Sequence, residues 1–124
     1  MAKVFVDTNC FIELANRGPH INSEQLDRHE GFVSVLSCHI LFYVNKIKIP
    51  NPAMNFFIED FNLVSLNNKI IQFAISGPTD DLEDNIQLHS AATIDADFFV
   101  TLDKKLLEMK FFGKTQIIYP KKLE

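Results

Sequence analysis

Five short runs of β-branched and aromatic residues, spaced along the whole chain, constrain its fold more than any other feature. Lys3–Val6, Gly31–Val35, Asn62–Leu66, Phe98–Leu102 and Gln116–Tyr119 each read as a strand. Runs that are apolar throughout, rather than alternating, suit strands buried on both faces. Helix-like stretches separate them. Asn9 suits the N-cap of a helix over Cys10–Asn16, which Gly18-Pro19 ends. Ser23–Glu30 reads as a polar helix. Ser37 suits the cap of a helix running to about Lys48, before Pro50 and Pro52 stop it. Ala53–Asp60, Asn68–Ile75 and Lys104–Met109 read as helical, and Asp80 or Asp81 caps a helix over Leu82–Asp95. This alternation predicts a three-layer α/β/α sandwich around a parallel sheet of about five strands, with residues 1–124 forming a single domain. Twelve Phe against four Gly supply the core such a domain needs.

Three aspartates fall where that fold concentrates chemistry. Asp7 closes the first strand, Asp103 closes the fourth, and Asp84 stands at the head of the helix between them. Open α/β sheets bind ligands beyond the carboxyl ends of their strands. If the first and fourth strands are neighbours, about 4.8 Å apart, one ion bridges both acids. On the Asp84 helix, positions 84, 88, 91 and 92 share one face (Asp, Leu, Ala, Ala), so the acid begins an inward stripe. Glu83 and Gln87 are expected on the solvent side. Asp81, one turn earlier, is either a further ligand or an ordinary helix cap. Each acid alone also has a structural reading, as a strand-to-helix turn (Asp7) or a helix cap (Asp103). Three gathered carboxylates repel one another and retain a proton without a cation. An all-oxygen set with no His or Cys partner points to Mg²⁺ or Mn²⁺ rather than zinc. Such an ion supplies a bound-water nucleophile and screens a phosphodiester.

Those residues carry a resemblance. Val6-Asp7-Thr8-Asn9, then Leu82-Glu83-Asp84-Asn85-Ile86-Gln87, then Ala96-Asp97-Phe98-Phe99-Val100-Thr101-Leu102-Asp103 resembles the PIN domain family across essentially the whole chain. That resemblance implies a Mg²⁺/Mn²⁺-dependent endoribonuclease with a parallel α/β/α sandwich, of the kind found in VapC-type toxins. It implies RNA as substrate and an antitoxin protein as partner. It implies Asp7, Asp84 and Asp103 as metal-binding, catalytic acids, Thr101 as a supporting hydroxyl, and Asn9 as the polar residue that steadies the first acid. The chain departs from the family pattern Ser-x-x-x-x-x-Glu-x-x-Tyr. Read from Ser34 to Tyr43, the Glu position is Ile40, and no acid occurs between Glu30 and Glu59. A PIN-like fold that has lost nuclease activity and serves as a binding or assembly module is therefore the alternative. A receiver-type phosphoacceptor would want an acid after the third strand, where Val64-Ser65-Leu66-Asn67 stands. A haloacid-dehalogenase phosphatase would want Asp-x-Asp, where Asp7-Thr8-Asn9 stands.

The remaining features set the surroundings. No apolar run approaches the roughly 20 residues a membrane span needs, and the start of the chain leads straight into a strand, unlike a signal peptide. Cys10 and Cys38 are too few for a disulfide framework, so the expected compartment is the cytoplasm. A net charge of −4 argues against a dedicated nucleic-acid binder but not against a nuclease with an acidic centre. Lys46 and Lys48 are candidates for phosphate contact or simply a solvated helix end, and the four His residues show no metal spacing. Phe111-Phe112, beside Lys110 and Gly113-Lys114, is expected to be partly exposed and free to contact RNA or protein. Apolar surface on Cys10–Asn16 and Phe42–Ile49 points to a homodimer.

Overall fold

In the computed structural model, which describes residues 1–123, the chain folds as an α/β sandwich around one six-stranded sheet. The strands are β1 (Lys3–Val6), β2 (Glu30–Ser34), β3 (Asn62–Val64), β4 (Phe98–Val100), β5 (Phe111–Phe112) and β6 (Thr115–Ile118). The helices are α1 (Thr8–Ala15), α2 (Val35–Val44), α3 (Pro52–Glu59), α4 (Asn68–Ile75), α5 (Leu82–Thr93) and α6 (Lys104–Met109). Sheet order is β3-β2-β1-β4-β6-β5, parallel except at the β5 edge. The central strand β1 lies between β2 and β4, with Phe5 beside Phe32 and Phe99.

Side-chain alternation divides the core into two layers. Val4, Val6, Val33, Val100 and Ile118 face one side, where they meet Cys10, Phe11 and Leu14 of α1 and Leu41 of α2. Phe5, Phe99 and Ile117 face the other, against Leu88 and Ala91 of α5 and Leu106 of α6. Phe5 and Phe99 stack at 5.6 Å between ring centroids. α4 packs outside α5 through Ile70, Ala74 and Ile86. No helix among the described residues is long and apolar enough to cross a membrane.

Local structure departs from the sequence reading at several points. A sixth strand, β5, forms where none was expected, because Lys110 adopts φ 67° and ends α6. Gly113, at φ 60°, then turns the chain back so that Phe112 pairs with Thr115. Ser23–Glu30 is not a helix. Asn22 and Gln25 close a capping box around a single 3-10 turn, Ser23–Gln25, and bends follow. Ser34, rather than Ser37, caps α2, accepting from the Ser37 N–H at 3.0 Å. That helix ends at Val44, well short of Lys48. Asp7, rather than Asn9, caps α1, and Asp81 is the cap of α5. Gln87, expected on the solvent side, is fully buried. The cause is that α5 is covered on one side by the sheet and on another by α4, so Asn85, Ile86, Gln87, Leu88, Ser90 and Ala91 are all enclosed.

Candidate functional site

The β1–β4 pairing sets the geometry of the carboxyl edge. Val6 pairs with Val100, and the next backbone bond runs from the Asp7 N–H to the Val100 carbonyl at 3.0 Å. Asp7 therefore leaves β1 alongside Thr101, the residue that follows β4. Its carboxylate is buried, at 3 % exposure. Oδ1 accepts from the Thr8 N–H at 2.9 Å, and Oδ2 accepts from the Thr101 hydroxyl at 2.7 Å. Burial, outweighing those two bonds, pushes the Asp7 carboxyl up to about 7, and the nearby charges of Asp84 and Glu83 add to the shift.

Thr101 joins the acids. Its hydroxyl donates to Asp7 and accepts from the Asp103 N–H at 3.0 Å, with a long contact of 3.5 Å from the Asn9 amide. Asn9 Oδ1 accepts from the Leu102 N–H at 3.4 Å. Asn9 thus reaches Asp7 only through Thr101 and the β4–α6 loop. Asp103 caps α6, its Oδ1 accepting from the Lys105 N–H at 2.9 Å. Asp84, in the first turn of α5, is half-buried and has no hydrogen bond to its carboxylate among the described residues. Burial raises it to about 6, with further increments from Asp81, Asp103 and Glu83, while Lys105 acts the other way.

The structure thus joins Asp7 and Asp103 through Thr101, with Asn9 beside that hydroxyl and Asp84 within electrostatic reach of both acids. It commits Asp81 to capping, since its Oδ1 accepts from the Asp84 N–H at 2.9 Å. As the side chains stand, no trio of His, Cys, Asp or Glu among the described residues converges closely enough to hold one metal ion. The donor chemistry nonetheless fits a hard divalent cation. All three donors are carboxylates, the most buried of them has its pKa raised by that burial, and the one ion pair among the described residues, His20–Glu13, lies elsewhere.

Beneath the acids lies a buried polar layer that the sequence reading missed. Thr8 Oγ1 and Ser37 Oγ are 2.8 Å apart, Ser34 Oγ lies 3.2 Å from Ser37 Oγ, and Ser37 reaches Gln87 Oε1 at 3.4 Å. Gln87 Nε2 and Ser90 Oγ, both buried, have no partner among the described residues. The available signal was Gln87 and Ser90 at i, i+3 on one helix, interleaved with Ile86, Leu88 and Ala91. Asn85, also buried, satisfies its whole amide. It accepts from the Thr79 N–H and hydroxyl at 2.9 and 2.6 Å, and donates to the Ala74 and Thr79 carbonyls at 2.8 and 2.9 Å. It fixes the α4–α5 loop and with it the position of Asp84. Ile40 is half-buried in α2, one turn beyond Ser37, and His39 beside it is exposed. The thiols of Cys10 and Cys38 are both pushed up by burial and serve as packing. No protein-family model matches the chain, and no curated protein matches it.

Proposed function

We propose that this chain is a Mg²⁺- or Mn²⁺-dependent endoribonuclease, acting as the toxin of a type II toxin–antitoxin pair. One observation carries the reading. A carboxyl group buried at the end of the central strand, Asp7, is held by Thr101 against the loop that presents Asp103, with Asp84 close enough to disturb its ionisation. A protein gains nothing in stability from burying a carboxylate without a cation. A site that recruits a cation needs that arrangement.

Asp7, Asp84 and Asp103 would hold the ion. When bound, it supplies an activated water and neutralises charge on the phosphodiester. The residues themselves do the positioning. Thr101 orients Asp7 through the 2.7 Å bond and ties the Asp103 backbone to the same hydroxyl. Asn85 holds the head of α5. With Asp7 raised to about 7 and Asp84 to about 6, the site without a cation keeps part of a proton near neutral pH, chiefly on Asp7, and cation binding displaces it. Free cysteines accord with a cytoplasmic setting. The exposed side chains Tyr43, Val44, Ile49 and Phe56 support an antitoxin or a second copy docking near α2 and α3.

The test is cleavage of structured RNAs with Mn²⁺ or Mg²⁺, with Asp7→Asn and Asp103→Asn as controls. Loss of activity in both variants is expected, and retained activity in both refutes the reading. A second reading, a binding or assembly module without nuclease activity, rests on Ile40. A calorimetric titration with no Mn²⁺ binding at millimolar concentration would favour it.

A further inference from the structure

A strip of rings links α4, α5 and β5. Phe73 of α4 stacks on His89 of α5 (centroids 5.5 Å apart, planes 22° from parallel), and Phe112 of β5 meets the same imidazole edge-on at 5.0 Å. Lys69, one turn before Phe73, places its Nζ 5.9 Å from the Phe73 ring centroid. His89 Nε2 lies 2.9 Å from the Gly77 carbonyl. A carbonyl only accepts, so Nε2 carries the proton and the ring is locked in place. Lys110 precedes the Phe111–Phe112 strand and Lys114 lies in the turn after it.

Packing alone does not account for this strip. Rings that serve only to join α4, α5 and β5 would be covered, yet Phe73 is 51 % exposed. His89 lies five residues beyond Asp84 on one helix, about 7.5 Å along its axis, and Phe112 pairs with Thr115 at the amino end of the sheet, so the strip leads away from the acidic carboxyl edge. The lysines matter because the chain carries −4 overall, with Asp80, Asp81, Glu83 and Asp84 crowding the head of α5. A polyanion held on the strip needs positive charge there.

We propose that Phe73, His89 and Phe112, with Lys69, Lys110 and Lys114, form a platform for single-stranded RNA. The exposed Phe73 ring stacks a base, the His89 ring backs it, and the lysines meet phosphates. Aromatic faces interleaved with cations hold single strands with little sequence preference, because every base has a π-face. A ring platform reads unpaired bases, so duplex RNA binds less well. The inference rests on the ribonuclease reading only in taking the bound strand to be the substrate.

The experiment measures fluorescence anisotropy of labelled short oligouridine and of a hairpin duplex, in EDTA so that no cleavage occurs. Wild-type chain is expected to prefer the single strand. Phe73→Leu is expected to weaken binding roughly tenfold and Phe73→Trp to preserve it. Lys69→Ala is expected to reduce the salt slope by about 0.7. Binding that is undetectable, indifferent to Phe73→Leu, or stronger for the duplex overturns the platform. A concentration-dependent dimer that Phe73→Leu abolishes also overturns it, since a second copy then covers the strip. If Phe73→Leu lowers the melting temperature, cross-linking of wild-type chain to 5-iodouridine oligomers decides instead. Adducts at Phe73, His89 or Phe112 support the platform, and adducts only elsewhere overturn it. Phe73-dependent binding without Mn²⁺-dependent cleavage refutes the nuclease and keeps the platform. Cleavage with Phe73-independent binding does the reverse.

Discussion

Asp7→Asn replaces a buried acid with a neutral side chain of nearly the same shape, and its effect on stability has a definite sign at each pH. In the folded chain the Asp7 carboxyl titrates near 7, against 3.8 for an unperturbed group. The folded state therefore holds the proton more tightly than the unfolded state does. Stability from this group is complete below the unfolded value and is lost as pH rises through the folded one. Three units amount to about 4 kcal/mol in all, and roughly 2–3 kcal/mol of that falls between pH 5 and pH 8. The asparagine has no such titration. Its amide nitrogen faces either the Thr8 N–H or the Thr101 hydroxyl, which now donate to the two carboxylate oxygens. One of those bonds must reverse or break, costing about 1 kcal/mol. In EDTA, Asp7→Asn should therefore be about 3 kcal/mol more stable than wild type at pH 8. Its advantage should shrink by about 2–3 kcal/mol on going to pH 5. For a chain of 124 residues the pH-dependent part is worth roughly 10 °C in melting temperature. Thermal or urea unfolding of both proteins across that range reads it directly. Parallel pH profiles would refute the claim that burial raises the Asp7 carboxyl, as would an asparagine variant less stable than wild type at pH 8.

Three further outcomes follow from the same geometry. Mn²⁺ should raise the wild-type melting temperature more at pH 8 than at pH 5, because protons on Asp7 and Asp84 compete with it. A concentration of 100 times Kd is worth about 2.7 kcal/mol, and Asp103→Asn should lose most of the gain in differential scanning calorimetry. Ile40→Glu should strengthen Mn²⁺ binding in isothermal titration calorimetry, and unchanged affinity would show that this position on α2 does not face the acids. Asn85→Ala should cost about 2–3 kcal/mol in urea unfolding, because the Ala74 carbonyl and the Thr79 groups lose their buried partner. A loss below about 0.5 kcal/mol would mean that water replaces the amide without strain.

Strands and helices were legible where the local pattern was strong. The apolar runs of β1, β2, β4 and β6 and the cap-to-break spacing of α4 and α6 depend on neighbours within one or two turns, and the structure follows them closely. β5 was not legible. Two residues carry no periodicity, and the strand exists only because β6 offers an edge to pair with and Gly113 makes the turn. Gln87 was misplaced because a helix read alone has one inward face, whereas α5 is enclosed by both α4 and the sheet. Ser37 was read as a cap because its type suits one. Ser34, three residues earlier and held at the end of β2, reaches the free N–H groups first.

The three aspartates divide in the same way. Their positions at strand and helix ends were determined by sequence alone, since each follows a run or precedes a turn that local propensity defines. Their proximity was not, because it depends on β1 pairing with β4 across more than ninety residues, and on Thr101 being the residue that the register sets beside Asp7. The raised pKa of Asp7 was decided only by the fold as well. Desolvation is a property of what surrounds a group, and Asp7 is surrounded by residues from distant parts of the chain.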